Sequence, residues 1–515
     1  MDYRETVFYR YHQDTKHTPE RLRRGPWSLD WATQPDPFRH YEGTPLVTLP
    51  PPQRPAAGNY FQLVDAEDGP AVTLQGVSQL LYHSMAVATW KAVRGGPRWA
   101  LRVNPSSGNL HPTETHLIAR GVDGLEDGGY HFRVDEFALE QRHAGPTGDL
   151  AALFARESGL PAAPLTILLT SIFWREAWKY RARAFRYCHH DLGHALAAIV
   201  EACRGLGWPA AYRHLFDDAA VAGALGLDGG DEVPGLLIAV GQPGAVPGET
   251  AVRPREYRGR PNRLSSRTVK YEAITRVCEA TRRPSGDGRT SARRIASATD
   301  QHLPLPTAID TSADLWHVAR TRRSGVDFDG RTGTGPGVLG AILHRATRGA
   351  RGDLFNTPAG HGRPLVRLYL YLHRIEGLPP GVYHYDRDGH ALVPLMTGDQ
   401  RRVAADLSLG QDIAANGAFA VSMLADLEAA WSIYGDRGYR AVHIEAGWIG
   451  QGFYLGAESA GLNATGIGAF FDDHVNDYLS PPHGLEVVYH FTVGRAVPDP
   501  RLTDLPAYPF DEPAR

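Results

Sequence analysis

The chain has 515 residues, of which 42% are hydrophobic and 22% charged, and its formal net charge at pH 7 is −3. This composition is ordinary for a soluble globular protein, and it lacks the basic excess of a nucleic-acid-binding domain. No apolar run reaches the length of a membrane span, and the charged N-terminus lacks the apolar stretch of a signal peptide. We therefore expect a cytoplasmic protein with no nucleic-acid or membrane partner.

The first half of the chain alternates apolar runs with turn-forming residues. Residues 1–60 are rich in Pro, Arg and His, and we expect an irregular N-terminal extension. The elements predicted after it are a helix from Val72, strands over 115–118, 165–171 and 235–241, and a long helix over 188–203.

Residues 251–306 interrupt this pattern, because they are rich first in Arg and then in Ser, Gly and Ala. They predict a solvated linker with one helix near 270–281, although a phosphate- or peptide-binding patch is an alternative. The elements predicted beyond it are helices over 337–344 and 441–459 and strands over 366–372, 418–424 and 486–492.

The two halves resemble each other in sequence at a nearly constant offset. Gly124–Phe132 returns as Gly377–Tyr385 at an offset of 253, and Arg183–Tyr187 returns as Arg437–Ala441 at an offset of 254. So long a period indicates a duplicated domain rather than a solenoid. We predict an α+β fold that forms a pseudo-dimer within one chain. The expected parts are an extension (1–60), a first domain (61–250), a linker (251–306), a second domain (307–505) and a tail (506–515).

A turn-rich segment, Arg102–Pro112, contains Pro105-Ser-Ser-Gly-Asn109 between apolar runs. Such a loop turns N–H groups, hydroxyls and an amide in one direction, which suits a polyol or the edge of a heterocycle, but it could equally be a structural turn. Its counterpart 253 residues later is Pro358-Ala-Gly-His-Gly362.

Two motifs of the second half could contact a ligand. Arg322-Arg-Ser324 could bind a phosphate through two guanidiniums and a hydroxyl, or could be solvent-facing. Gly466-Ile-Gly468 offers exposed backbone N–H groups, or a tight structural turn.

Lys179-Tyr180 follows a buried strand in the first half, among Arg175, Arg181 and Arg183. Crowding by these cations would favour a neutral lysine and an ionised tyrosine, either of which could act as a general base. The alternative is a lysine that extends to solvent beside a half-buried tyrosine. The second half has Ile433-Tyr434 at this position.

Two further motifs match known binding patterns in their spacing but lack the residues or elements that those patterns need. Gly335–Gly340 matches the G-x-G-x-x-G pattern, but no buried strand precedes it, so we do not expect a Rossmann fold. His190 and His194 lie four residues apart on a helix without a third ligand, so we expect no metal site. Cys188, Cys203 and Cys278 form neither a disulfide framework nor a metal spacing.

Together these motifs resemble the nitroreductase superfamily, and within it the SagB/ThcOx-type azoline dehydrogenases. The resemblance covers most of both halves and implies tandem flavoprotein domains that bind FMN at their interface. It implies that Lys179 and Tyr180 are catalytic. The residues that it implies for the cofactor are Pro105, Ser106, Ser107, Gly108, Asn109, Arg322, Arg323, Ser324, Gly466, Ile467 and Gly468, with Arg495 as a further phosphate candidate.

The implied cofactor residues are divided unequally between the halves. The arginines and the glycine turn lie in the second half, and the Pro105 loop and Lys179-Tyr180 lie in the first. The opposite site would have only Arg39 as a phosphate candidate. We therefore expect one FMN per chain.

The resemblance implies oxidation of a C–C or C–N bond beside a heteroatom, with proton abstraction and hydride transfer to flavin N5. The substrate would be a small molecule or a modified peptide, possible partners include a cyclodehydratase-type enzyme, and the context would be natural-product biosynthesis. Two alternatives stay open at this point: an NAD(P)H-dependent nitro- or quinone-reductase, and a non-catalytic flavin-binding scaffold of a peptide-modifying complex.

Overall fold

The computed structural model describes residues 2–25, 28–53, 56–227, 231–245, 252–284, 302–307, 309, 311–354, 364–481 and 484–511. The helices in these ranges are α1 (Val7–Asp14), α2 (Pro19–Arg24), α3 (Leu74–Tyr82), α4 (Gly148–Ser158), α5 (Phe173–Tyr180), α6 (Ala184–Leu206), α7 (Asp218–Ala224), α8 (Glu272–Ala280), α9 (Leu315–Thr321), α10 (Pro336–Thr347), α11 (Arg401–Leu407), α12 (Ile413–Asn416), α13 (Leu427–Tyr434), α14 (Gly438–Ser459) and α15 (Asp472–Leu479).

The strands in the same ranges are β1 (Tyr41–Glu42), β2 (Leu46–Thr48), β3 (Val87–Val93), β4 (Arg98–Arg102), β5 (Thr113–Ala119), β6 (Gly128–Arg133), β7 (Ala138–Ala144), β8 (Leu165–Ile172), β9 (Ala210–Arg213), β10 (Glu232–Val240), β11 (Arg260–Pro261), β12 (Leu303–Pro304), β13 (Val366–Leu372), β14 (Gly381–Asp386), β15 (Ala391–Thr397), β16 (Phe419–Ala425), β17 (Asn463–Ile467), β18 (Glu486–Gly494) and β19 (Leu502–Leu505).

Each half contains a seven-stranded antiparallel sheet with the same strand order. The first sheet runs β2-β7-β6-β5-β8-β10-β9 and the second β12-β15-β14-β13-β16-β18-β17. Six of the seven equivalent strand pairs begin 253 or 254 residues apart, as at Thr113 and Val366. The predicted α+β duplication is therefore confirmed, and the predicted strands and long helices lie where the apolar patterns placed them.

The two long helices, α6 and α14, cross at equivalent glycines and form the centre of the interface between the halves. A Cβ atom at Gly193 would clash with the Ile444 carbonyl, and one at Gly447 would clash with the His190 carbonyl. Because only glycine lets the two backbones approach so closely, this pair fixes how the halves sit against each other.

Buried ion pairs fasten each half to the other. Arg183 and Arg186 on the first half hold Asp472 of the second, with N–O distances of 3.0 and 2.9 Å. Arg437 and Arg440 hold Asp218 in the same way, at 2.7 and 2.8 Å. The sequence motif Arg183–Tyr187 thus serves first as an inter-domain clamp; we name these two sets the Asp472 clamp and the Asp218 clamp.

The N-terminal extension is more regular than the sequence predicted, because α1 and α2 form within it. Thr6 caps α1 and Thr18 caps α2, each through its side-chain oxygen. Each arginine clamp also reaches a threonine that follows a short helix. Arg186 Nε donates to Thr15 Oγ1 after α1 (3.1 Å), and Arg440 Nε donates to Thr281 Oγ1 after α8 (2.8 Å). Part of the duplication therefore extends into both segments.

The C-terminal segment returns to the first half. Strand β19 pairs antiparallel with β3, with Leu505 opposite Trp90. The hydroxyl of Tyr508 donates to the Val134 carbonyl (2.7 Å) and accepts the Val87 N–H (2.9 Å). This segment holds the β3–β4 hairpin, which leads directly into the Pro105 loop.

Candidate functional site

The arginines of the second half meet the Pro105 loop of the first half at the domain junction. Arg322 follows α9 and is 3% exposed. Its guanidinium donates to the backbone carbonyls of Val103 (3.2 Å) and Arg102 (3.3 Å), directly before the loop. The two segments that the sequence assigned to one site are therefore neighbours across the interface.

The Arg322–Arg323 pair places positive charge at the junction, with Arg322 buried and Arg323 half-buried. Burial lowers the pKa of both side chains, that of Arg323 to about 10, with Arg322 adding repulsion. No carboxylate in the described part of the chain lies within 4.0 Å of either guanidinium, and Arg322 Nη1 and Arg323 Nε have no hydrogen-bond partner there. Uncompensated buried guanidiniums are costly, so these atoms fit an anionic ligand such as a phosphate.

Tyr454 on α14 joins this pair to the glycine turn. The Arg322 guanidinium lies 4.8 Å from the Tyr454 ring centre. The Tyr454 hydroxyl is 2.9 Å from Ser324 Oγ and accepts the Gly466 N–H at 3.1 Å. Gly466 and Ile467 belong to strand β17 rather than to a turn after the helix.

Gly468, which directly follows β17, contacts the first half. The Gly468 carbonyl accepts the Tyr187 hydroxyl at 2.8 Å, and the Tyr187 ring packs edge-on against Tyr180 with ring centres 4.6 Å apart. A side chain at Gly468 would collide with Tyr187 (2.5 Å), and one at Gly466 would collide with Tyr489. These glycines therefore let aromatic rings pack directly on the backbone.

Lys179 and Tyr180 lie against the Pro105 loop. A Cβ atom at Gly108 would lie 2.6 Å from the Tyr180 hydroxyl and 3.1 Å from Lys179 Nζ, and Gly108 has a φ of +60°. Glycine is thus required at this point both by its backbone conformation and by the closeness of the pair. Lys179 is exposed, whereas Tyr180 is half-buried.

The expected effect of the surrounding arginines on Tyr180 is wrong. Arg175 donates to the His111 carbonyl and to Glu114, and Arg183 belongs to the Asp472 clamp. Their charges are therefore neutralised elsewhere. Burial, reinforced by the Glu176 carboxyl, raises the pKa of Tyr180 well above its usual value. Tyr180 is a neutral hydrogen-bonding hydroxyl at physiological pH and not a base.

The serines of the Pro105 loop point into the protein. Ser106 Oγ donates to Asp191 (2.6 Å), and Ser107 donates to Asp191 through its N–H (3.1 Å) and its hydroxyl (3.0 Å). Asn109 bonds the Ala100 carbonyl (2.9 Å) through its amide. The loop therefore faces the junction with its backbone. Pro105, at its start, is buried.

Other polar atoms at the junction lack partners in the part of the chain that the structure describes. They include the side-chain oxygen of Asn104, beside Pro105, and the amide nitrogen of Gln451 on α14. One such acceptor and one such donor, together with the arginine pair, fit the hydrogen-bonding edge and the phosphate of a flavin nucleotide.

Arg495 lies just after β18 with an exposed side chain, and its carbonyl accepts the Asp329 N–H (3.0 Å). Gly494, directly before it, pairs with Asn463 of β17, whose neighbour Ala464 bridges Ser324. The assignment of Arg495 to a phosphate stays a prediction.

Sequence reasoning missed the aromatic and histidine lining. The His190 ring stacks on Tyr489 with centres 4.1 Å apart, and His194 Nε2 lies 3.2 Å from the Tyr489 hydroxyl. Burial lowers the pKa of both histidines, that of His194 to about 3, so both are neutral. The available signal was the pair of His residues four apart on a helix, which the sequence assigned only to core or surface positions.

The equivalent junction on the other side of the pseudo-dimer is filled by protein. Tyr212 stands where Gly466 stands in the other half, and its buried ring occupies the space that a side chain at Gly352 would need. Trp448 replaces His194 and donates its indole N–H to the Arg348 carbonyl (3.1 Å).

The residues expected to line that second junction either bond to other groups of the protein or lie outside the described residues. Arg39 donates to the Asn262 carbonyl (2.8 Å) and lies 3.9 Å from the Glu232 carboxylate. Tyr434 donates to the Asp353 carbonyl (3.1 Å). The Pro358–Gly362 repeat of the loop lies outside the described residues.

The described ranges contain no helix with the length and apolarity to cross a membrane. They also contain no group of three or more His, Cys, Asp or Glu side chains placed to hold a metal ion.

The family model described as "Nitroreductase family" matches residues 70–242 and 319–495, one range in each half. A solved structure from Anabaena variabilis, named as a nitroreductase, covers 96% of this chain and 100% of its own with a TM-score of 0.74. Its sequence identity of 24% supports the fold alone.

Two curated relatives match shorter stretches. The protein MJ1384 of Methanocaldococcus jannaschii, named as a nitroreductase, is 33% identical over 121 residues, which are 24% of this chain and 61% of the relative. The trifolitoxin operon protein TfxC of Rhizobium leguminosarum bv. trifolii is 38% identical over 79 residues, 15% of this chain and 22% of the relative. The chain thus spans less than two thirds of either relative.

Proposed function

The chain belongs to the Nitroreductase family, with two family domains in tandem, and from this membership we propose that it is an FMN-dependent dehydrogenase of azoline-like or related heteroatom-containing substrates. One observation carries the proposal. The junction of the two domains brings the unneutralised arginine pair of the second half beside the Lys179-Tyr180 pair of the first, through Tyr454, Gly468 and the Pro105 loop.

The residues that would hold FMN come mainly from the second half. Arg322 and Arg323 would bind the phosphate, with the exposed Ser324 hydroxyl beside them. The backbone of Gly466–Gly468 would face the ring, and the Pro105 loop would close the site from the first half. FMN, when bound, would supply a two-electron acceptor at its N5 atom.

Lys179 is the group best placed to take a proton. Its Nζ lies at the exposed surface of the loop, whereas Tyr180 keeps its hydrogen and can only donate or accept a hydrogen bond. Lys179, as the free amine, would remove the proton from the heteroatom or the carbon beside it while the adjacent C–H gives up its hydride. Tyr180 would orient the substrate through its hydroxyl. General-base catalysis of this kind contributes roughly 10²–10⁴-fold to the rate.

The substrate class rests on the Lys-Tyr pair and on one relative. The pair is the catalytic element of the azoline dehydrogenases that the chain resembles, and TfxC is named for a trifolitoxin operon. We therefore place the protein in natural-product biosynthesis, in the cytoplasm, downstream of a cyclodehydratase-type enzyme that makes the azoline ring.

The test uses purified protein, its absorbance spectrum and an azoline-containing peptide. We expect a flavin spectrum and a product lighter by two hydrogens. Lys179→Ala should retain the flavin and lose about 10²-fold or more of the turnover, and Lys270→Ala, at an exposed lysine of the linker, should retain both.

Another pattern of results would assign a different activity. Rapid NAD(P)H oxidation with nitro or quinone acceptors, unaffected by Lys179→Ala, would make the protein a reductase, the activity for which MJ1384 is named. Tight association with a cyclodehydratase without any change in flavin redox state would make it a scaffold.

A further inference from the structure

Two buried carboxyl groups lie directly behind the Lys179-Tyr180 pair. Glu176 is on α5, one helical turn before Lys179, and Asp191 is on α6; they are 0% and 1% exposed. The Ser106 hydroxyl lies between them, 2.6 Å from Asp191 Oδ2 and 3.4 Å from Glu176 Oε1. Neither carboxyl group has a role in the proposed function.

The hydrogen bonds around Ser106 show which carboxyl carries a proton. Ser106 Oγ accepts the His111 N–H (2.8 Å) and has one hydrogen of its own, which the short distance assigns to Asp191. Asp191 accepts further from the N–H and hydroxyl of Ser107, as a carboxylate does. The contact of Ser106 Oγ with Glu176 Oε1 is longer (3.4 Å), and Glu176 Oε2 has no partner among the described residues. A neutral Glu176, which can also donate to Ser106, suits this arrangement better than a second carboxylate.

Burial and neighbouring charges also favour a neutral Glu176. Burial, followed by the charge of Asp191, raises the pKa of Glu176 well above its usual value, against opposing effects of Lys179 and of the Ser106 hydroxyl. Burial also raises the pKa of Asp191 to about 7, although the two serines stabilise its ionised form. The other titratable groups that face Glu176 are Tyr180 and Cys188, and the pKa of each is raised, so both are neutral.

The second half lacks this arrangement where it also lacks the lysine. Ala430 stands at the position of Glu176, and Ile433 stands at the position of Lys179. Glu445 replaces Asp191, and it binds the backbone N–H of Leu365 (2.9 Å) and Arg387 (3.2 Å) instead. The buried Glu176 therefore accompanies the lysine, which a purely structural carboxyl need not do.

We propose that Asp191 and Ser106 are positioning residues that keep Glu176 in its neutral form, so that Lys179 has no carboxylate partner to hold its proton. An ionised Glu176 one turn away would hold Lys179 as an ammonium ion, which cannot accept a proton. This inference rests on the proposed function of Lys179 as the base. It gives the inward-facing serines of the Pro105 loop a role in preparing that base.

The first test is the pH dependence of kcat/KM for azoline oxidation, which reports groups of the free enzyme. Asp191→Asn keeps the shape and the hydrogen-bond acceptor but removes the charge that keeps Glu176 neutral. We expect the acid midpoint of the profile to rise by about one pH unit in this variant. In the Asp191→Asn/Glu176→Gln double variant the midpoint should return to the wild-type value, because glutamine cannot ionise.

Three outcomes of this test would overturn the proposal. They are an unchanged midpoint in Asp191→Asn, a midpoint that stays raised in the double variant, and loss of the acid limb in Glu176→Gln alone, which would make Glu176 itself the base. Flavin content of each variant, measured beforehand, separates these results from misfolding.

The second test does not depend on turnover. Infrared difference spectra of the wild-type chain and Glu176→Gln at neutral pH should show a protonated-carboxyl C=O stretch in the wild type that is lost in the variant. Absence of that band would overturn the inference and leave the proposed function standing. Presence of the band in a protein that oxidises no azoline would do the reverse.

Discussion

The two domain junctions of this pseudo-dimer differ in what fills them. At the first, Gly466 and His194 pack against Tyr489, and Arg322 Nη1 and the Asn104 side-chain oxygen have no hydrogen-bond partner among the described residues. At the second, Tyr212 and Trp448 occupy the equivalent positions. The duplicated fold has kept two copies of the scaffold, but within the described residues the arginine pair and the lysine both lie at the first junction, where we propose the active site.

The parts that the halves share are the ones that hold the fold together. The Asp472 and Asp218 clamps have equivalent arginines, equivalent carboxylates and equivalent threonine contacts. Sequence identity between the halves therefore marks structure, and their differences mark function.

The largest effect is expected at the clamps. Asp472→Ala and Asp218→Ala should each destabilise the protein by about 3–5 kcal/mol, because each leaves two buried guanidiniums without a counter-ion. Asp472→Ala should also lower flavin occupancy, since Arg183 reaches the Gly468 carbonyl (3.4 Å) as well. Denaturant titration and flavin content measure both effects. Equal flavin loss in the two variants would remove the difference between the junctions.

The next effect concerns the arginines assigned to the phosphate. Arg322→Met should weaken FMN binding by about 1.5–3 kcal/mol, or roughly 10–100-fold, because a charged hydrogen bond to the phosphate is lost. Arg39→Met is the matched variant, since Arg39 is also buried but is committed to Asn262 and Glu232. Titration of the apoprotein with FMN should show normal affinity for the Arg39 variant. Weakened binding there would return Arg39 to the cofactor site.

A smaller effect is expected in the backbone after the Lys-Tyr pair. Arg181 has φ +53° and ψ −136°, and its equivalent Gly435 has φ +60° and ψ −151°. This conformation is strained for any residue with a Cβ, at a cost of about 1–3 kcal/mol. Arg181→Gly should therefore stabilise the protein and Gly435→Ala should destabilise it, as thermal unfolding will measure. A destabilised Arg181→Gly would mean that the arginine side chain outweighs the strain.

The smallest effect is a pH dependence of opposite sign in equivalent histidines. Burial opposes a charge on His131, but hydrogen bonds to Glu114 and Glu140 outweigh it and raise its pKa to about 9. Its stabilising contribution is present below pH 6.5 and is lost as the pH rises towards 9. Burial lowers the pKa of His384 to about 4, so stability is lost as the pH falls from 6.5 towards 4.

Single substitutions separate these two contributions. Unfolding free energies measured across pH should lose part of the alkaline slope in His131→Gln and part of the acid slope in His384→Gln. The same slope change in both variants would contradict the assignment.

Much of the fold could be predicted from the sequence because apolar periodicity and a repeated motif report the scaffold directly. The strand over 366–372 and the helix ending at Ser459 match the structure at their stated ends. The helices α1 and α2 were missed because their side chains are mostly polar and charged, so that threonine caps rather than an apolar stripe mark them.

The site was only partly predictable for a different reason. Neighbourhood in sequence placed arginines around Lys179, but folding pairs Arg175 with Glu114 and Arg183 with Asp472. Which atoms a charge meets depends on tertiary contacts that no local pattern contains. The pairing of Glu176 with Asp191 through Ser106 was invisible for the same reason.

The most direct test of the central claim is the number of FMN molecules released per polypeptide when the purified, FMN-saturated chain is denatured. The account predicts a ratio of one, because Arg322 and Arg323 lie at one junction without a carboxylate partner among the described residues, whereas Tyr212 and Trp448 stand at the equivalent positions of the other. A ratio of two would show that the second junction also binds a flavin and would contradict the division of labour between the halves.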